Sequence, residues 1–277
     1  MTMIVETAPA KINLALHVRA RRADGYHEIE TLFAFLREGD VLTLAPGDLS
    51  LSITGPFAGD LAVDDDNLVL RAARAYAAAF GVAESGAFTL DKRLPIASGV
   101  GGGSADAAAA LRALARRDGI ALDDRRLFAC AEALGSDVPA CLLGVTALGG
   151  GRGELLEPVD GVAGTAVLLV NPGVAVSTAK VFGGWDRVDR GPIPSGATIA
   201  RAVAGRNDLE TPARALAPVI DEVVAALADT DSALLVRMSG SGATCFALYA
   251  STAAREAAAV AIRAAHPGWW CLESVLT

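Results

Sequence analysis

Four glycines in five positions, Gly99, Gly101, Gly102 and Gly103, separate an apolar run at 88–94 from an alanine-rich stretch that begins after Ser104. A strand, a glycine loop and a helix in that order can present backbone N–H groups to a phosphate. Glycine tolerates positive φ and lets a ligand approach the main chain. The first N–H groups of a helix have no partner within it, and its dipole favours an anion there. Several donors have to converge, because nucleotide binding in the millimolar-to-micromolar range needs about 4–8 kcal/mol and one hydrogen bond to a charged group supplies about 1.5–3 kcal/mol. The stretch is neither common nucleotide motif: Gly103-Ser104-Ala105 lacks the lysine of a Walker A loop, and Asp106 stands where the dinucleotide fingerprint needs its third glycine. A flexible connector is the alternative reading.

Three further places carry reactive side chains. Residues 3–19 alternate as a strand does after Pro9, with Ile12, Leu14, Leu16 and Val18 on one face and Lys11, Asn13 and His17 on the other. A lysine so placed is ordinarily a solvated edge residue. Asp137, in Gly135-Ser136-Asp137-Val138-Pro139, sits where a short helix can begin, and the ordinary use of an aspartate there is N-capping. Tyr26 and His27, behind the turn signal Asp24-Gly25, put a stacking ring and an imidazole on a loop.

These side chains need elements to position them. Strands are expected at 29–36, 40–45 and 49–54, punctuated by Gly39-Asp40 and Pro46-Gly47. A helix over 67–80, capped by Asp64 to Asp66, precedes a strand at 87–94, the glycine loop and a helix over 104–117 opened by Ser104. Asp123 caps a helix at 124–134, and the glycine-rich 144–157 reads as a hairpin. Beyond it come strands at 165–170, 234–238, 245–250 and 271–276. Helices are expected near 178–184, 197–204, 212–228 and 252–265, and a boundary near 158 leaves an α+β second half.

With 277 residues, two domains are the expectation. A net charge of −8 argues against a general nucleic-acid binder, so any phosphate must be held by a local positive site. Four scattered cysteines without a CxxC pair speak against a disulfide framework or a zinc site and fit a reducing cytoplasm. Glu6, Lys11 and Asn13 interrupt any signal-peptide core, and no apolar run reaches the length of a membrane span.

Three spaced segments resemble the motifs of the GHMP small-molecule kinases: Pro9-Ala10-Lys11-Ile12-Asn13-Leu14, then 95–105, then Gly240-Ser241-Gly242-Ala243. The segments 23–33 (ADGYHEIETLF) and 134–144 (LGSDVPACLLG) are similar to those of the branch acting on a cytidine-diphosphate-linked methylerythritol. The resemblance implies an α+β, two-lobed fold: a ribosomal-protein-S5-like N-terminal domain over 1–157 and a ferredoxin-like C-terminal domain over 158–277. It implies transfer of a phosphoryl group from ATP, with Mg2+, to the 2-hydroxyl of that substrate in the non-mevalonate isoprenoid route. Asp137 matches the catalytic aspartate and Lys11 its partner. Pro95, Ile96, Ala97, Ser98, Gly99, Val100, Gly101, Gly102, Gly103, Ser104 and Ala105 match the segment around the triphosphate. Tyr26 and His27 match positions that recognise cytosine, Phe182 a second stacking ring, and Asn13 a substrate contact. Neither nucleic acid nor membrane is an expected partner, and a monomer or weak homodimer is. Ala97-Ser98 departs from the two glycines of many relatives, and Asp106 from the asparagine of some. A homoserine, mevalonate or sugar kinase, or a nucleotide-binding regulator without turnover, is the alternative.

Overall fold

A computed structural model describes residues 3–60, 64 and 66–277 of the chain. In chain order its elements are β1 (Ile4–Arg21), β2 (His27–Asp48), β3 (Ser50–Thr54), a 3-10 turn (Ala58–Asp60), α1 (Leu68–Phe80), β4 (Ser85–Asp91), α2 (Gly102–Asp118), α3 (Arg125–Leu134) and α4 (Val138–Leu143). They continue with β5 (Ala147–Gly150), β6 (Leu155–Pro158), β7 (Ala166–Asn171), α5 (Thr178–Gly183), α6 (Thr198–Ala204), α7 (Glu210–Leu216), α8 (Val219–Ala228), β8 (Ala233–Met238), β9 (Cys245–Tyr249), α9 (Thr252–Ala265) and β10 (Trp270–Val275). Two compact units form, and neither is one continuous stretch. The first takes the described residues of Met1–Lys11, Glu38–Ile96 and Gly101–Gly144; the second takes Ile12–Arg37, Ala97–Val100 and Val145–Thr277. A junction at 157/158 is a cut in chain order, whereas β1, β2 and the glycine loop each give residues to both units.

In the first unit, β2 pairs antiparallel with β4 from Val41 opposite Asp91 to Ala45 opposite Ala87, and β3 lies parallel on the other edge of β4. The helices α1, α3 and α4 pack around α2. Ala105 and Ala107 to Ala110 of α2 are all buried, and such small side chains let neighbouring helices come close. Gly101 begins this helix in the left-handed region (φ 67°) and Gly119 ends it there (φ 70°).

The second unit holds the hairpin of β5 and β6, which lies against β2 through Thr31 opposite Gly149. It also holds an antiparallel sheet in the order β10-β7-β9-β8. With helices between β7 and β8 and between β9 and β10, that order is the βαββαβ arrangement of a ferredoxin-like domain. Its core gathers Leu168, Val170, Ile220, Val223, Leu227 and Ile262. Arg237 of β8 is buried, with no ion pair among the described residues; it donates to the carbonyls of Leu14, Ala202 (2.6 Å) and Gly205 (2.7 Å), the last two at the C-terminal end of α6.

Several elements differ from the sequence reading for identifiable reasons. Strand β2 runs unbroken through Gly39-Asp40, because this glycine serves close approach: a Cβ there would lie 2.0 Å from the carbonyl oxygen of Ala8. The stretch 212–228 is two helices, since Pro218 forces Ala217 out of the helical region to φ −140°, ψ 83°. Asn67 caps α1, its side chain accepting from the N–H of Val69, in place of Asp64 to Asp66, of which Asp65 lies outside the described residues. Asp124, one residue later than expected, caps α3. Ser104 does not open α2, because Gly102 and Gly103 are already helical. Gly39→Val is expected to lower stability by about 3 kcal/mol, the upper end for overpacking, seen as a lower urea midpoint at unchanged slope.

Candidate active site

Lys11 and Asp137 stand far apart in sequence and meet in the first unit. The Lys11 ammonium lies 2.9 Å from Oδ2 of Asp137. Both expectations for an ordinary role are overturned. Residues 8–18 of β1 are buried on both faces apart from the half-buried Pro9, so Lys11, 4% exposed, is no edge residue. Asp137 occupies the N-cap position of α4 but its side chain makes no capping hydrogen bond, which leaves the carboxylate to Lys11. That side chain is 35% exposed, so the pair reaches solvent only at its acidic end.

The stem of Lys11 also touches the glycine loop. A Cβ on Gly101 would come 2.6 Å from its Cγ, so Gly101 is required twice, for its positive φ and for the lysine passing over it. The first i to i−4 bond of α2 runs from the N–H of Ala105 to the Gly101 carbonyl at 2.8 Å. The N–H groups of Gly102, Gly103 and Ser104 precede it, as a phosphate cradle needs. Pro95 and Ile96 lead into the loop half-buried, Ala97 is exposed at φ 52°, and Ser98 and Val100 are buried.

In the second unit, the loop residues 97–100 are stitched to the turn after β8. The Thr244 N–H donates to the Ser98 carbonyl at 3.0 Å and the Ser239 hydroxyl to the Gly99 carbonyl at 2.9 Å. A Cβ on Gly99 (φ 81°) would strike the Ser239 carbonyl at 2.5 Å. Asn13 takes part through its N–H, 3.3 Å from the Ser239 hydroxyl, while its amide nitrogen donates to Thr31 at 2.7 Å. His27 lies against Phe182 (centroids 5.0 Å, planes at 32°) and edge-on to Trp185 (5.8 Å, 85°). Burial, then the charge of Arg21, lowers its pKa below the usual 6.5, so at neutral pH the ring carries one donor and one acceptor. Tyr26, 53% exposed, stands under the guanidinium of Arg152 at 5.0 Å from the ring centroid.

Sequence reasoning missed Trp185, Arg152 and above all a buried group under the loop. The Lys92 ammonium donates to Asp40 at 2.5 Å and Asp106 at 2.7 Å. Burial opposes the ammonium, but the facing Asp106 and Asp40 outweigh it and raise the Lys92 pKa. The signal was present as charges inside the apolar run at 88–94 and in the second turn of an alanine helix. No local rule connects the two.

Sequence profiles of the GHMP kinases N terminal domain and the GHMP kinases C terminal match residues 67–145 and 195–268. A 4-diphosphocytidyl-2-C-methyl-D-erythritol kinase of Rhizorhabdus wittichii is 58% identical over 275 residues, 98% of this chain and 94% of that protein. One of Paracoccus denitrificans is 50% identical over 279 residues, 98% of this chain and 96% of that protein. The crystal structure of a 4-(cytidine 5'-diphospho)-2C-methyl-D-erythritol kinase superposes with a TM-score of 0.82 at 36% identity, covering 99% of both chains. A homoserine kinase of Cytophaga hutchinsonii, 20% identical with a TM-score of 0.74 over 100% of this chain and 96% of its own, shares the fold.

Lys92→Met leaves two buried carboxylates without their cation, and breaking such a group by removing one partner is expected to cost about 3–5 kcal/mol. Chemical denaturation at neutral pH measures the loss.

Proposed function

The chain belongs to the 4-diphosphocytidyl-2-C-methyl-D-erythritol kinases of the GHMP kinase family, and from that membership we propose that it moves the γ-phosphate of ATP onto the 2-hydroxyl of 4-diphosphocytidyl-2-C-methyl-D-erythritol in the non-mevalonate isoprenoid route. The observation that carries the reading is the Lys11–Asp137 pair at 2.9 Å, with the lysine stem laid over the glycine that starts α2.

In this reading, residues 95–105 wrap the triphosphate through main-chain donors. Phosphoryl transfer asks a protein for positioning and charge neutralisation, and the helix start supplies both without a side chain in the way. The acceptor is a tertiary alcohol, crowded and weakly nucleophilic, so a base at its proton helps. Asp137, engaged by Lys11 through Oδ2, takes that proton on its other oxygen. Lys11 orients the carboxylate and places positive charge where alkoxide character develops. His27, Tyr26 and Phe182 hold the cytosine: rings stack on its faces, and a neutral imidazole meets its edge with a donor or an acceptor. Asn13, its amide nitrogen committed to Thr31, contacts the substrate from beside Gly240.

Among the described residues no group of three His, Cys, Asp or Glu side chains is placed to hold a metal ion. The described residues therefore offer no such cluster, and Mg2+ is read as entering on the phosphates of ATP, where it would neutralise charge. We read 1–157 and 158–277 as the two halves of the family's chain. The enzyme is placed in the cytoplasm as a monomer or weak homodimer, without nucleic-acid or membrane partners; among the described residues no helix is long and apolar enough to cross a membrane.

A coupled ADP-release assay tests the whole reading. Turnover is expected with the cytidyl substrate and absent with its uncytidylated analogue, homoserine or mevalonate; preference for one of the latter assigns the chain to a sibling activity. Asp137→Ala is expected to lower kcat by about 10²–10⁴-fold, the usual worth of a positioned base, while thermal stability and ATP affinity persist. His27→Ala is expected to raise KM for the cytidyl substrate about tenfold, the equivalent of roughly 1.4 kcal/mol, with KM for ATP unmoved in the same assay.

A further inference from the structure

The buried charges under the phosphate loop have no part in the mechanism above, yet they tie its ends together. Lys92 follows β4 and enters the loop; it donates to Asp40 of β2 and to Asp106, one turn into α2 beyond the loop's exit. The other oxygen of Asp40 accepts the main-chain N–H groups of Arg93 at 2.5 Å and Leu94 at 2.8 Å, the next two residues of the entry. Gly102 leaves room for the ammonium, since a Cβ there would come 2.9 Å from Nζ and 3.6 Å from Asp40. All three charged side chains are buried, and Oδ1 of Asp106 is buried without a hydrogen-bond partner. One cation against two carboxylates gives the group a formal charge of −1 beneath the end of a helix meant to receive an anion.

We propose that Lys92, Asp40 and Asp106 form a positioning clamp for the phosphate loop, holding its two ends so that the N–H groups stay aimed at a triphosphate, and that nucleotide binding draws a proton onto this clamp. The inference rests on reading the loop as the ATP site. A glycine-rich loop loses more conformational freedom on ordering than any other kind, so a loop fixed beforehand binds more tightly. The proton follows from charge. The carboxyl of Asp106 is raised to about 7, first by burial and then by facing Asp40, against the pull of Lys92. On the α4 side lies the Cys141 thiol, pushed up to about 12 by burial and then by Asp137, with Lys11, Arg112 and Asp106 as its other charged neighbours. A triphosphate adds negative charge to this surrounding and favours the neutral acid.

Two measurements test it. The double variant Lys92→Met/Asp106→Asn removes the clamp without stranding a pair of carboxylates, since Asp40 keeps its two main-chain donors. KM for ATP is expected to rise about tenfold, with kcat and KM for the cytidyl substrate within about twofold, a split that general loss of structure does not give. Asp106→Asn alone keeps the hydrogen bond to Lys92 and is expected to rescue most of the ATP KM. Calorimetric titration with ADP near pH 7.5, in two buffers of different ionisation enthalpy, is expected to show proton uptake by the parent chain and none by Asp106→Asn beyond that of ADP itself. An unchanged ATP KM in the double variant, or an equal rise in both KM values, overturns the clamp. Equal proton uptake in parent and Asp106→Asn overturns its titration, and that comparison decides alone should the double variant not fold. Gly103→Asp separates the underlying reading: a carboxylate in the first turn suits the helix but repels a triphosphate, so an intact ATP KM there removes ATP from the loop itself.

Discussion

Backbone N–H groups in the first turn of a helix cannot be satisfied from within it, and at α2 that turn follows directly on a glycine loop. A side chain at Gly99 or Gly101 would collide with the Ser239 carbonyl or the stem of Lys11. No cap takes up the donors, because the N-cap residue is a glycine without a side-chain oxygen. An element left unsatisfied in this way costs stability, and the surrounding structure offsets it: α2 is sheathed by α1, α3 and α4 along its alanine faces and clamped beneath by charge.

The two lysine–carboxylate groups of the first unit show how burial divides roles between similar residues. Lys11 and Asp137 are paired at 2.9 Å with the acid partly in solvent, so the carboxylate keeps some hydration while the buried ammonium depends on it. Lys92, Asp40 and Asp106 have no such outlet. Removing two carboxylates and an ammonium from water costs several kcal/mol each before the pairing is counted, so this group holds its geometry because every departure from it is worse. An ion pair open to solvent at one end and a fully buried charge group thus come from the same side-chain types, separated by solvent access.

Much of this was readable in the sequence. Glycine spacing before an alanine helix, a lysine on an alternating strand and an aspartate before Val-Pro are local signals, and the structure brings these residues together, with Lys11 2.9 Å from Asp137 and its stem against Gly101. The failures share a cause. Gly39-Asp40 reads as a turn, but the glycine answers to Ala8 across β1 and the aspartate to Lys92, 52 residues on. Ser104 reads as a cap because serine usually is one; glycines that are poor helix formers became helical here because packing of α2 outweighs their propensity. Asp137 likewise has a capping position without a capping bond. Positions 40, 92 and 106 carry no shared pattern, since burial of a charge is a property of the folded chain. The interleaving of the two units through β1 and β2 is invisible to any reading that moves along the chain.

In the proposed function, recognition and chemistry draw on different stretches, and their physics differs accordingly. His27 lies against Phe182 and Trp185, while burial and then the charge of Arg21 lower its pKa and favour the neutral imidazole. A neutral ring discriminates between bases by hydrogen-bond pattern, where a cation would attract any phosphate. The proposed chemical step needs the opposite, charge placed beside a reacting oxygen, the part assigned to the Lys11 ammonium. A chain with a net charge of −8 cannot gather its anionic ligands through its overall field. In the proposed function it relies on short-range donors at the helix start and on single cations set among them, and a glycine-rich loop suits that requirement.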